Sequence, residues 1–300
     1  MKKNQLNKAF SLIEISVVLL IIGILIAGVS SGIDLYQDFK VTTAKSLTQN
    51  SRVNRINGLA LWLESSQKSS FEPNNITNGT AITKWKNIAP NLTPNDRARF
   101  DAVKTSISVS GPIYRENAIN SLSGLEFVNT ENRCLQVASG FDGDGKYSSV
   151  FLVIRTADNW LSSADYRLLS RWYGGSSNNN VAFYMIRPMD IRFLNDNSLV
   201  ASTYLYSTKN NKLNLFNIIF NRGVNVKFFL NKLYVTPVLN DTFTGSHYET
   251  ELYIGCKGGG FPNYNNPNAY YLEIIVYDRA LSDNERIEVE NYLTQKWGKF

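Results

Sequence analysis

The chain has 300 residues, 43% of them hydrophobic and 19% charged, which describes a folding polypeptide rather than a disordered one. Its formal charge of +6 is partly local, because Lys2, Lys3 and Lys8 crowd the first positions and no dense Lys/Arg run follows. That distribution argues against a nucleic-acid partner, whose phosphates call for a clustered cationic footprint.

The opening nine residues, MKKNQLNKA, are basic and free of acids. From Ile15 to Ile33 there is then no charged residue at all. At about 1.5 Å per residue this run makes a helix of roughly 28 Å, close to the hydrocarbon thickness of a bilayer. The basic preface places the N-terminal side in the cytoplasm by the positive-inside rule. Ala27, Gly28, Ser30 and Ser31 resemble the small residues of a secretory cleavage site, but the apolar run is long for a signal peptide. Glu14 also lies within its first turn. An acid there needs a partner or an interfacial position, since a charge at the bilayer centre costs about 2.5–3.5 kcal/mol on insertion scales. Ser11-x-x-Glu14 supplies one local answer, because it spells a helix capping box. Gly28-x-x-x-Gly32 has the spacing that lets membrane helices approach closely.

No proline occurs before Pro73, so the helix is expected to continue through Asp34–Arg55, with Ile33, Tyr36 and Leu47 on an apolar face. Asn57-Gly58 is the expected stop. Beyond it the pattern changes to short apolar runs punctuated by Gly, Asn, Ser and Pro. Ser149–Thr156, Val181–Arg187, Leu215–Arg222, Val226–Asn231, Leu252–Gly255 and Tyr270–Asp278 read as strands, several apolar enough to be buried on both faces. Near the end, Ser282-x-x-Glu285 forms a second capping box. Val289, Tyr292, Leu293 and Trp297 then share one helical face, and Gly298 closes the helix. The expected class is α+β: a long membrane and stalk helix, an antiparallel two-sheet sandwich of jelly-roll type, and a C-terminal helix. The expected units are a leader at 1–9, a transmembrane and stalk helix at 10–57, and a head at 58–300.

The segment Lys8–Val29, KAFSLIEISVVLLIIGILIAGV, resembles the N-terminal signal of type IV prepilins and type II secretion pseudopilins. The resemblance implies cleavage by a prepilin peptidase between Ala9 and Phe10, methylation of the new N-terminus at Phe10, and retention of the membrane helix. Members usually carry Gly before the cut, where this chain has Ala9. Glu14 becomes the fifth residue after cleavage, the family's assembly position. Its carboxylate is then the nearby counter-charge for the α-amine of its own chain, or of a neighbouring subunit in a filament. A desolvated pair of that kind is better justified by register than by raw stability. The implied partners are prepilin peptidase, other pilin or pseudopilin subunits, and the inner membrane before assembly.

The head resembles the laminin-G-like or concanavalin A-like superfamily through Gly58–Ser66, Ile82–Asn87, Pro112–Phe127 and, most distinctively, Glu273–Gly298. That resemblance implies a binding module for carbohydrate or protein, sometimes with calcium. Where members often carry Asp, this chain has Glu64, Asn87 and Asn129.

Residues with candidate chemistry in the head are few. Asp142-Gly-Asp144-Gly145 offers oxygen ligands of the kind Ca²⁺ takes, but lacks the later ligands of an EF-hand loop, and a polar turn accounts for it simply. Trp172 and Tyr173, like the Gly258–Phe261 loop, offer aromatic surface for stacking on sugars, a role that competes with packing beneath strand ends. Cys134 and Cys256 are too few for a cysteine-based zinc cluster and leave two readings, a long-range disulfide or two buried thiols. The only histidine, His247, sits in a turn-like segment, with no nucleophile-elbow motif in the chain. Glu249 and Glu251 alternate as solvated strand residues do rather than forming a glycosidase's facing acids. No enzyme or cofactor is expected, with calcium the one ion that the resemblance and Asp142-Gly-Asp144-Gly145 leave open. The expected function is a filament subunit displaying a binding head, with an adhesin for glycan or surface protein as the competing class and a secreted lectin-like protein or glycan-cleaving enzyme as a remote third.

Overall fold

The computed structural model describes residues 11–106, 108, 110–128, 133–141, 147–156, 167–174, 180–186, 190–195, 198–204, 211–221, 224–236, 238–239, 251–256 and 268–300. Helix α1 spans Leu12–Asn50 and opens on the Ser11/Glu14 capping box. The Ser11 hydroxyl accepts from the Ile13 amide, and the Ser11 amide donates to Glu14 Oε2 at 2.8 Å. Two orphan donors of the first turn are thereby satisfied, and the acid sits at the positive end of the helix dipole.

Regular α-helix closes earlier than the Asn57-Gly58 signal suggests. Ser51 is extended, and a single 3₁₀ turn, Arg52–Arg55, follows it. The departure lets Val53 and Ile56 turn into the head's core, which a straight continuation of α1 would not allow. Ile33 and Tyr36 also differ from expectation. Both are exposed, because α1 meets the head only through its final turns, where Ala44 and Thr48 are buried and Leu47 packs alongside.

Among the described residues the strands form one sheet of eight and one of ten. In the first, Leu233–Val235, Asn225–Leu230, Leu213–Asn221, Tyr147–Thr156 and Ala269–Tyr277 lie side by side, each antiparallel to the next. The far side of Ala269–Tyr277 is shared. Its first half pairs with Leu122–Phe127 and its second half with the head's first strand, Leu59–Glu64. In the second sheet, the strand Leu169–Gly174 lies between Asn180–Ile186 and Leu252–Ile254.

Alternation along the strands separates two cores. Leu61, Leu63, Val150, Leu152, Ile154, Ile274 and Val276 face the second sheet. Trp62, Phe151, Val153, Ile275 and Tyr277 point the other way, into a layer closed by the C-terminal helix α3, Asp283–Trp297, the short helix α2 being Pro94–Arg99. α3 begins on the expected capping box and buries Val289, Tyr292, Leu293 and Trp297. Gly298 ends it at φ +114°, a conformation that a side chain would strain. Burying each large side chain on this face contributes about 1.5–3 kcal/mol. Strands buried on both faces explain the unbroken apolar runs of the sequence.

Candidate functional site

Two regions of the chain stand out chemically: the apolar length of α1 and its junction with the head. Along α1, side chains from Leu12 to Val29 are exposed, and no residue of its most apolar window is buried within the chain. Ser16 and Ser31 turn their hydroxyls onto the carbonyls of Leu12 and Ala27 at 2.8 and 3.0 Å, hiding two polar groups from an apolar setting. Gly23, Gly28 and Gly32 have open space beside them and present bare backbone to a neighbour. Within the single chain Glu14 acts as the helix cap. Ala9 and Phe10 lie outside the described residues.

At the other end of α1 lies a wholly buried ionic cluster. Glu64 and Glu273 stand directly opposite each other on neighbouring antiparallel strands, an arrangement of like charges that is destabilising by itself. Lys296, from the last turn of α3, reaches between them, 2.8 Å from Glu64 Oε1 and 3.1 Å from Glu273 Oε2, with both pairs at 0% exposure. Both carboxylates accept further hydrogen bonds. Glu273 accepts from the indole N–H groups of Trp62 at 2.6 Å and Trp297 at 2.7 Å, and from the Tyr292 hydroxyl at 2.7 Å. Glu64 accepts from the Ser66 amide at 2.7 Å, from the Ser66 hydroxyl, and from Ser70. Thr48 of α1 completes the set, its hydroxyl oxygen 2.9 Å from Lys296 Nζ and 3.2 Å from the Tyr292 hydroxyl. Burial, followed by the charges of Glu273 and Glu64, drives the Tyr292 hydroxyl well above the usual tyrosine range. Tyr292 is therefore a neutral donor at any ordinary pH.

Glu64 and Asn87, two of the positions at which the laminin-G-like resemblance implies Asp, are thus internal. Asn87 accepts from the amides of Trp62 and Ala89 at 2.9 and 3.1 Å, and its own amide donates to Asp101 at 2.8 Å. It brackets the first strand. Burial raises the Asp101 carboxyl above the ordinary carboxylate range, although the Asn87 amide and Lys84 oppose this. Glu64 and Glu273 hold an ammonium where a cation ligand set would need free oxygens. Among the described residues no three His, Cys, Asp or Glu side chains group as a metal site.

Cys134 and Cys256 are joined, with their Cα atoms 5.6 Å apart, across the paired strands Leu135–Val137 and Leu252–Ile254. A link closing 122 residues removes unfolded-state entropy worth about 4–5 kcal/mol in the loop-closure picture. Trp172 and Tyr173 lie on the strand Leu169–Gly174, but their side chains are outside the described set. Asn129, Asp142, Asp144, His247, Glu249 and Gly258–Phe261 are outside it as well. Glu251 is half-buried just before Leu252–Ile254.

Sequence reasoning missed Thr48, Glu273 and Lys296 as one unit. Glu273 did carry a signal, being a lone acid inside the apolar run YYLEIIVY. Lys296 carried a misleading one, since a lysine in the last helical turn ordinarily faces solvent and the helix dipole.

The family described as the prokaryotic N-terminal methylation motif matches residues 4–30. The chain has a prepilin-type N-terminus. The motif implies processing by a prepilin peptidase and pilin-type assembly, and the exposed apolar helix is the element for membrane insertion. No curated protein matches the chain. Among solved structures, a Trypanosoma rangeli sialidase in complex with the inhibitor DANA aligns at TM-score 0.52 and 14% identity, over 81% of this chain and 34% of that one. The binding domain of botulinum neurotoxin serotype D/C VPI 5993 aligns at TM-score 0.51 and 14% identity, over 80% of this chain and 53% of that one. The binding domain of Paraclostridial Mosquitocidal Protein 1 gives TM-score 0.50 and 12% identity, over 82% and 56%. The chain spans about a third of the sialidase and about half of the two toxin domains. At these identities the likeness is one of fold: behind the prepilin-type N-terminus stands an antiparallel two-sheet β-sandwich head.

Proposed function

We propose that the chain is a type IV pilin-like or pseudopilin subunit that enters the inner membrane through α1 with its head in the periplasm. It is cut between Ala9 and Phe10, methylated at Phe10, and assembled by α1 into a pilus or pseudopilus. The observation that carries this reading is the methylation motif on a helix whose apolar length has no partner among the described residues. Such a surface requires lipid before assembly and neighbouring helices after it. Glu14 then serves twice. It caps α1 in the isolated chain, and in the filament it meets the α-amine of a neighbouring Phe10. The head acts by binding or by placement, without catalysis. N-terminal mass spectrometry of the protein from its native host tests the proposal. A mature chain beginning at methylated Phe10 supports it; retention of residues 1–9, or a start after Ser31, defeats it.

The fold of the head, shared with two toxin binding domains, favours a second reading in which the filament presents an adhesin for glycan or surface protein. Glycan-array binding by the full chain in detergent, lost on Trp172→Ala, would favour adhesion. Absence of binding across the array would favour a scaffold.

A further inference from the structure

The junction between stalk and head is narrow. Of α1, only Ala44 and Thr48 are fully buried, one turn apart on a single face. Thr48 is also the residue of α1 that reaches the ionic cluster. Its hydroxyl donates to the Ala44 carbonyl at 2.9 Å, which leaves its oxygen free to accept from Lys296. The Lys296 ammonium donates to Glu64 on the first strand, to Thr48 on the stalk and to the Tyr292 hydroxyl of its own helix, and pairs with Glu273 Oε2 on the last strand at 3.1 Å. It carries one positive charge against two opposed carboxylates, in a site closed by the rings of Trp62, Tyr292 and Trp297. Such a cluster is stable only while dry and fully partnered, since a buried charge that loses a partner is strongly penalised.

We infer that the last two turns of α1 form a latch in which Thr48 closes the ionic cluster. Seating of the stalk and closure of the head by α3 are then one cooperative event. Neither end is secured by this contact alone. Below Thr48 the chain is also tethered by the Tyr277 hydroxyl on the Val53 carbonyl at 3.2 Å and by Arg279 on the Asn57 carbonyl at 2.9 Å. Those bonds hold the chain at its exit from the helix, beyond Ser51, and leave the direction of α1 undetermined. Thr48, together with the packing of Ala44 and Leu47, sets that direction, and among the described residues it alone ties the rigid part of the helix to the innermost charges of the head. A head locked at one setting on its stalk keeps the same orientation from subunit to subunit. The latch stands independently of N-terminal processing and would exist in an uncleaved chain.

Hydrogen exchange of the full chain in detergent micelles, read by mass spectrometry, tests this. Thr48→Val keeps the shape and removes the hydroxyl; Thr48→Ser keeps the hydroxyl and removes the methyl. Peptides covering the remote strand Leu135–Val137 report whether each variant is folded. With Thr48→Val, exchange is expected to rise at least tenfold both in α1 around 44–50 and in α3 around 292–297, while Thr48→Ser leaves α3 near wild type. Unchanged exchange around 292–297 in Thr48→Val, or equal loss of protection in the two variants, overturns the latch. Should Thr48→Val fail to fold, Thr48→Ser and Ala44→Ser carry the test. Ala44→Ser crowds the same helix face without touching the hydroxyl contact. Loosening by Ala44→Ser that matches in α1 and α3 supports coupling, and loosening confined to α1 refutes it.

Discussion

Replacing Lys296 by Met keeps most of the side-chain volume and removes the one cation that separates Glu64 from Glu273. The two carboxylates are directly opposed across neighbouring strands and have no exposure, so water cannot take over the role of the ammonium. Breaking a buried pair in this way costs about 3–5 kcal/mol. A domain of this size loses about 2–4 °C of Tm per kcal/mol, so the midpoint should fall by roughly 6–20 °C. Thermal unfolding of the full chain in detergent, followed by circular dichroism, measures this directly. Adding Glu273→Gln to Lys296→Met removes one of the stranded charges. It should recover part of the loss, giving a coupling energy of about 0.5–3 kcal/mol in the double-mutant cycle. Glu273→Gln alone is not neutral, because its amide NH₂ would face a donor from Trp62 or Trp297. The reasoning fails if Lys296→Met lies within about 1 kcal/mol of wild type, or if the two substitutions simply add.

Glu14→Ala should enter the membrane as wild type does, yet be absent from sheared filaments, when both fractions are probed by immunoblot; normal incorporation would remove the assembly role. Burial raises the hydroxyls of Tyr271, Tyr277 and Tyr292 above their ordinary value. Each therefore contributes stability that is complete below the unfolded tyrosine value, about 10, and declines as pH rises past it. Titration followed at 295 nm should show these phenols ionising only together with loss of the folded signal. Arg279, hydrogen-bonded to Glu285, holds that carboxyl at about 2, so its contribution is present above the unfolded value near 4.5 and fades as pH falls toward about 2. Carboxyl NMR of Arg279→Ala should show Glu285 returning upward, because Arg279 is the largest cause of the depression.

The parts of the molecule that repeat a local physical rule were legible from residue order. Both capping boxes, the apolar face Val289–Trp297 and the six strands named from their apolar runs all depend on neighbours close in sequence. The ionic cluster was hidden because its members are distant. Thr48 and Lys296 are separated by 248 residues, and Glu64 and Lys296 by 232. Nothing near Lys296 in the sequence reveals that two strands will bring opposed acids beneath it. The helix terminus was misplaced for a related reason. Asn57-Gly58 is a good local stop, but Val53 and Ile56 are drawn into the core and end regular helix at Asn50. Ile33 and Tyr36 have spacing that fits an amphipathic face, yet the head does not extend far enough along α1 to cover them.

The neighbouring placement of Leu59–Glu64 and Ala269–Tyr277 constrains the order in which the head can be made. Synthesis delivers residues 59–64 early, and their pairing partner arrives more than two hundred residues later. Until then, Trp62 and Glu64 lack the strand and helix that enclose them. The sandwich is therefore sealed by its last-delivered segment, and the closing step spans the longest loop in the head, a slow kind of contact to form. A chain stalled before residue 269 would leave the first strand without its neighbour, a template for wrong pairing while already tethered to the membrane through α1.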